Sequence, residues 1–303
     1  MAMTEAKFIA LEGNVRELLK AGLAQKPDLN AGFFKMLTDK TAQFTDYLMG
    51  AAGQLKPWTG SVDYDEVDLG YSKQYRPKKH ATGIQIDRDM YEDGEYDRLL
   101  PMVMSSIADG INTWLNAQGA AFWNDAFAGS LFTTADGAAL CSASHYMKSG
   151  GATQTNTFAL DLNYTNLNTI RKAMQRFEND RGDKMLIEGS MVIAGINQEV
   201  TLKQLFGSER EAFVADNQVN AFKDFSYKIH PLIDGDVWFV VNPTLMLNGS
   251  GANFWLRRDP RNIERDGATA AGDFNTEKIS WKSVARVVVG ATNWTWIAGS
   301  NPT

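Results

Sequence analysis

The chain has 303 residues, 44% of them hydrophobic and 22% charged, which suits about two ordinary domains with real cores and not a disordered chain. Lys+Arg 30 against Asp+Glu 36 leaves a formal charge of −6, which disfavours a protein that lives by contacts to a phosphate backbone. A single cysteine, Cys141, excludes an intramolecular disulfide, three histidines argue against a multi-histidine metal centre, and no stretch approaches the ~18 apolar residues of a membrane span. The composition fits a soluble protein of a reducing compartment.

In chain order, Phe8, Leu11, Val15, Leu18 and Leu19 recur at helical spacing and predict a short amphipathic helix, closed by Gly22 and Lys26-Pro27. Asn30 to Gln54 is mixed and punctuated by glycine, more arm than core. From Gln54 to Asp93 the pattern changes to period two. Val62 and Tyr64 alternate with Asp63 and Asp65, and Ile84 and Ile86 alternate with Gln85 and Asp87, which predicts a long β-hairpin. Its charges are segregated: Asp63, Asp65, Glu66 and Asp68 on the outgoing side, Lys73, Arg76, Lys78 and Lys79 at the tip and return. A lone two-stranded ribbon is marginal in water, so this one must lie on something.

Leu100, Val103, Ile107, Ile111, Trp114, Leu115 and Phe122 fall at three- and four-residue steps and predict a helix of roughly 25 residues, with Pro101 in its first turn. Ser130 to Thr157 reads as loop. Leu167, Ile170, Met174 and Phe177 mark a helix capped by Asp161 or Thr165, Met191 to Ala194 a strand, and Asn197 to Phe206 another helix. Phe225 to His230 and Val237 to Val241 read as paired strands joined through Asp234-Gly235. In the tail, Arg261 to Arg265 and Ile279 to Val289 are strand-like, and Trp294 and Trp296 point to one face.

The chemistry is sparse. Cys141 and His145 stand four residues apart without a protease signature around them, and read as a small buried residue and a turn histidine. His80 reads as a solvated polar residue and His230 as structural. The acidic run Asp87, Asp89, Glu92, Asp93, Glu95 and Asp97 lacks calcium-loop spacing, and there is no Walker, dinucleotide-binding or nucleophile-elbow motif. No catalytic, metal or cofactor-binding residue is expected. Arg257, Arg258, Arg261 and Arg265 are expected to meet carboxylates of a neighbour.

Element order says more than any site: arm, long charged hairpin, one long helix, an α/β segment, then returning strands. That order resembles the HK97 fold of tailed-phage major capsid proteins. Asp136-Gly137-Ala138-Ala139-Leu140-Cys141-Ser142, then His145, Gly150-Gly151 and Asn156, resembles a stretch common in such head proteins, with Cys141 in place of the usual aromatic. Leu55 to Gly60, Lys78-Lys79, Ile86 to Asp89 and Glu92-Asp93 are similar to the head subunit of Mu-like transposable phages. The resemblance implies an α+β capsid fold: N-terminal arm (1–55), hairpin E-loop (56–92), P-domain spine helix and loop (93–155), α/β A-domain (156–250) and closing P-domain strands (251–303). It further implies a shell of hexamers and pentamers around double-stranded DNA, formed in the cytoplasm of a host bacterium. The DNA would be held without sequence-specific binding. A separate scaffold protein, a portal at one vertex and minor or decoration proteins are the implied partners, with no membrane. An encapsulin-type nanocompartment with the same fold is the alternative, and an α/β enzyme using Cys141 or the acidic run the third reading. Inter-subunit contact is expected from Trp58, Lys73, Arg76, Lys78, Lys79, Arg257 and Arg258, with the basic hairpin tip meeting carboxylates of the next subunit. The arm and hairpin are expected to pack on other copies and not on their own.

Overall fold

The computed structural model describes residues 15–24, 28–51, 53–58, 60–62, 64, 66–67, 69–87, 96–147, 153–209, 219–265 and 278–302. Helix α1 spans residues 15–24. Strands β1 (Lys35–Leu37), β2 (Phe44–Met49), β3 (Leu69–Tyr75) and β4 (Lys78–Asp87) precede the long helix α2 (Tyr96–Asn124). Then come β5 (Thr157–Phe158), α3 (Tyr164–Met174), β6 (Met191–Ala194), a 3-10 turn (Ile196–Gln198) and α4 (Glu199–Gly207). The chain closes with β7 (Ser226–Ile229), β8 (Trp238–Val241), α5 (Pro243–Met246), β9 (Ala252–Arg258), β10 (Ile263–Arg265), β11 (Lys278–Ala291) and β12 (Ile297–Ser300).

Two five-stranded sheets and one helix carry the architecture. In the first sheet β11 is the central strand, with β9 and β10 along one edge, β1 beyond β9, and β4 on its other edge. The second sheet has the order β5-β12-β8-β6-β7. Helix α2 is 29 residues long, about 43 Å at 1.5 Å per residue. It begins at Tyr96, so Pro101 lies inside it and not in the first turn as expected. Its lower-numbered half packs on α1, where the carbonyl of Leu23 accepts from Asn112 Nδ2 at 3.2 Å and Val15 and Leu19 are buried with Leu100, Met104 and Ala108.

The second sheet lies between two cores, which explains its runs of four apolar residues. Met191, Ile193, Phe239 and Val241 enter the core around α2, with Trp123, Phe254 and Trp281. Their alternates Val192, Ala194, Trp238 and Val240 enter the second core, with Leu167, Ile170 and Met174 of α3 and Leu202 and Leu205 of α4. A strand buried on both faces has no polar side to show, so the period-two signal vanishes. Trp294 and Trp296 belong to the turn before β12, and they divide between the cores instead of sharing a face.

Several sequence expectations are corrected by the strand pairing. The expected hairpin does not form: β3 pairs with β2, and β4 pairs with β11 over ten positions, from Lys78↔Val287 to Asp87↔Lys278. Val62 and Tyr64 lie outside any strand. The strands β7 and β8 do not pair with each other but flank β6, β7 parallel and β8 antiparallel. Within the tail, β12 joins the second sheet and leaves β9, β10 and β11 to the first. Asn163 caps α3, accepting from the Asn166 amide, where Asp161 or Thr165 was expected. The arm is also not left for other copies. Phe33 and Phe34 are buried against Trp123, Phe122 and Phe254, and β1 runs parallel to β9.

Candidate assembly surface

The β2–β3 pair leaves the body from a tightly built root. Phe44 stacks on Tyr75 at 6.3 Å and meets Trp255 edge-on at 6.1 Å, while the Tyr75 hydroxyl lies 2.8 Å from Thr292 Oγ1. The Tyr75 ring crosses β11 at Gly290, where a Cβ would stand 2.7 Å from it, so the close approach requires glycine. Lys73 Nζ donates to the carbonyls of Thr133 and Ala291. Burial pulls its pKa down to about 8, against the opposing pull of Asp136. Lys73 therefore has partners in its own chain. Farther out, Arg181 donates to the carbonyls of Ala51 at 2.9 Å and Glu66 at 3.1 Å, and the Ala51 amide donates to Asp180.

Beyond this root the chain carries apolar side chains that nothing in the subunit covers. Trp58 is 73% exposed and Tyr64 91%, and Leu55 and Val62 are exposed beside them. Singly exposed apolar residues are ordinary; this many along one loop make it a candidate contact surface. Acidic residues follow in the sequence at Asp63, Asp65, Glu66 and Asp68, with no Lys or Arg between Trp58 and Leu69.

The basic residues stand elsewhere. Arg76, Lys78 and Lys79 are exposed where β3 gives way to β4, on the body of the subunit and not at a hairpin tip. In register, Lys79 lies opposite Arg286, which lies opposite Arg258, so three cations form one row across β4, β11 and β9. Like charges directly opposite in a sheet repel. Glu264 pairs with Arg258 and relieves one end, whereas Arg286 Nε is buried without a hydrogen-bond partner among the described residues. Arg257, at the β-bulge beside this row, donates to the Lys40 carbonyl at 3.1 Å, and Arg261 pairs with Asp28 at 2.8 Å. Arg257, Arg258 and Arg261 thus find partners in their own chain. The side chains of Arg265 and of the acidic run from Asp87 to Asp97 lie outside the described residues.

The other face of the same strands looks at α2. His80 is tilted against Trp114 with ring centroids 4.9 Å apart, so it is not simply solvated. A cavity of about 390 Å³ opens there, lined by His80, Thr82, Ile107, Gly110 and Trp114 among others.

Cys141 and His145 serve packing. Cys141 is buried, and burial pushes its thiol pKa up, away from the reactive thiolate. His145 is buried and stacks on Trp294 at 4.3 Å, with Nδ1 2.7 Å from Asp136 Oδ2 and Nε2 3.1 Å from Asn156 Oδ1. Asn156 also accepts from the Ser142 amide and donates to the Leu140 and Ile297 carbonyls, tying the 133–156 loops to β12. Burial would raise the Asp136 pKa, but hydrogen bonds from His145 and Thr134 and the His145 charge hold it below the usual carboxylate range. His230 is buried edge-on against Phe33. Among the described residues no group of three or more His, Cys, Asp or Glu is placed to hold a metal ion, and no helix is long and apolar enough to cross a membrane.

No protein-family model and no curated protein matches the chain in sequence. Solved structures do match in fold. The chain is similar over 99% of its length to 77% of a subunit in the procapsid of bacteriophage JBD30, at 15% identity and TM-score 0.53. It is similar over 77% of its length to the whole of a subunit of the bacteriophage JBD30 capsid, at 16% identity and TM-score 0.54. A virus-like particle from Pyrococcus furiosus matches 95% of the chain, over 98% of its own subunit, at 9% identity and TM-score 0.50. The fold is the HK97-like fold of these shell subunits.

Proposed function

We propose that this HK97-fold chain is the major capsid subunit of a tailed phage, assembling through hexamers and pentamers into an icosahedral shell around double-stranded DNA. The observation that carries the proposal is the correspondence of nearly the whole chain, 99% of it, with a procapsid subunit. The uncovered apolar loop from Leu55 to Tyr64 supports it, because a protein that works alone gains nothing from exposing Trp58 and Tyr64. The role is structural and non-enzymatic, with Cys141 and His145 committed to the core. The Mu-like affinity rests on the sequence stretches alone, and the domain division at residues 55, 92, 155 and 250 is a proposal of the same standing. Scaffold, portal and decoration proteins are proposed partners. So is packaged DNA, which a subunit of charge −6 would hold without reading its sequence. The proposed location is the virion, after assembly in the cytoplasm of the host.

Negative-stain imaging of the purified chain, expressed alone and together with a scaffold protein from the same genome, tests the proposal. Closed shells of uniform diameter are expected in at least one case. Dispersed single subunits in both overturn it, and shells produced in the native host that hold protein instead of nucleic acid mark the nanocompartment alternative.

A further inference from the structure

The turn between α5 and β9 holds a reactive pair that the shell reading does not use, and we infer that Asn248 is a site of self-modification. The Gly249 backbone nitrogen attacks the Asn248 side-chain amide and expels ammonia, and residue 248 becomes aspartate or isoaspartate. The reaction belongs to the folded subunit and stands apart from any assembly.

Sequence, exposure and geometry meet at this step. Asn248-Gly249 is the one Asn-Gly step in the chain, and a residue without a Cβ leaves the attacking nitrogen open. Asn248 is exposed and Gly249 half-buried, so water reaches the pair. The Asn248 side chain is folded back on the main chain, and the Gly249 amide donates to its Oδ1 at 2.7 Å. That contact keeps Cγ, one bond from the acceptor oxygen, beside the nitrogen that must reach it. Among the described residues no backbone carbonyl competes for the Gly249 amide. At Asp136-Gly137, by contrast, the glycine amide is held by the Thr134 carbonyl at 3.1 Å. Gly249 also lies beside Lys35 Nζ, a cation where the addition step builds negative charge.

The atoms balance with water as the sole co-reactant, and nothing is oxidised or reduced. The Gly249 nitrogen gives its proton to solvent base and bonds to Cγ of Asn248. The Cγ–Nδ2 bond then breaks, and Nδ2 takes a proton from water and leaves as ammonia. The product is a cyclic imide, and water adds to either of its carbonyls. Breaking the nitrogen–Cγ bond gives aspartate on an ordinary backbone. Breaking the bond to the main-chain carbonyl gives isoaspartate, whose backbone runs through Cβ and Cγ and is one atom longer.

The turn has no room for that extra atom. The Asn248 carbonyl accepts from the Gly251 amide at 3.0 Å, and a Cβ on Gly251 would strike the Met246 and Leu245 carbonyls. Between them the Ser250 carbonyl accepts from the amides of Thr292 at 3.2 Å and Asn293 at 2.9 Å. The Thr292 hydroxyl in turn meets the Tyr75 hydroxyl at the root of β3. In isoaspartate the acceptor of the Gly251 amide becomes a pendant carboxylate, and the spacing from residue 248 to Ser250 changes. Isoaspartate at 248 thus loosens the seam where β9, the end of β11 and β3 meet.

The test is peptide mapping by mass spectrometry of the purified full chain, aged in mildly alkaline buffer. Residue 248 should deamidate about tenfold or more faster than Asn262, which is also exposed but precedes the β-branched Ile263. Gly249→Ala should slow the reaction about tenfold or more, because a methyl group shields the nitrogen. The added Cβ makes only ordinary contact, 3.8 Å from Lys35 Nζ, so the variant should fold, and the wild-type comparison stands by itself if it does not. An isoaspartyl methyltransferase should label the aged wild-type chain, and the labelled chains should melt below fresh ones. Deamidation at 248 no faster than at Asn262 in the folded chain, or seen only after unfolding in urea, overturns the site. Isoaspartate at 248 with an unchanged melting temperature overturns the loosening of the seam.

Discussion

Asp125, just past the last residue of α2, holds the turn that follows. Its carboxylate accepts from the amides of Ser130 at 3.0 Å, Leu131 at 2.7 Å and Phe132 at 2.7 Å, and from the Ser130 hydroxyl. Burial would raise its pKa, but these hydrogen bonds hold it below the usual carboxylate range. A carboxylate depressed on folding adds stability that is complete above the unfolded value of about 3.9 and is lost as pH falls through the folded one. Asp125→Ala should therefore cost about 3 kcal/mol at pH 7 in urea unfolding of the unassembled subunit, leaving three amides without their acceptor. The cost should shrink as pH falls below about 4, where the unfolded chain takes up the proton, and be lost as pH falls through the lower folded value. A penalty independent of pH would place the effect in packing. Nothing around Asp125 in the sequence distinguishes it from a solvated aspartate. Asp136, His145 and Asn156, by contrast, were legible as a group from a shared pattern, although their hydrogen bonds were not. Chemical type and spacing locate a residue on the chain, whereas its partners are brought from 9 to 141 residues away by the fold.

At the scale of elements, α2 was legible because its apolar positions repeat over many turns, although Gly110 and Gly119 interrupt it. The structure separates them. A Cβ on Gly119 would lie 1.8 Å from Asn30 Oδ1, and Asn30 is held there by donating to the Leu115 carbonyl at 2.9 Å. A Cβ on Gly110 would meet nothing within 4 Å. Alanine gains up to about 1 kcal/mol over glycine in a helix interior. Gly110→Ala should thus raise the thermal midpoint of the subunit, and Gly119→Ala should lower it by overpacking that costs about 1–3 kcal/mol. Equal and favourable effects would show that Asn30 gives way freely. The strands were harder to read. Period two around Val62 and Ile84 marks extended chain without naming its partner. The true partner of β3, the Phe-Thr-Asp-Tyr-Leu-Met run of β2, has no clean alternation. The β4 partner lies about two hundred residues away in β11.

For the whole molecule, the arm was expected to depend on neighbours because its apolar residues are widely spaced. Spacing misled here: Phe33 and Phe34 act as separate pegs, which no periodic pattern announces, into the same core as Val15 and Leu19 of the expected helix. Together with the pairing of β4 to β11, they place the described arm and β4 on the subunit's own core before assembly, and leave the described residues of the loop between β2 and β3 exposed outside it. Ordering that loop costs roughly 1–2 kcal/mol per residue in backbone entropy, which only contacts with other copies can offset. The account therefore predicts a division within the chain that hydrogen exchange can measure on free subunits and on assembled shells. Amides of α1, β1, α2 and those of β4 bonded to β11 should exchange slowly in both states, whereas those from residue 53 to 67 should exchange within seconds in the free subunit and become protected in shells. Protection of residues 53 to 67 in the free subunit, or its absence in shells, would contradict a subunit whose described arm and strands pack on their own core while this loop is offered to its neighbour.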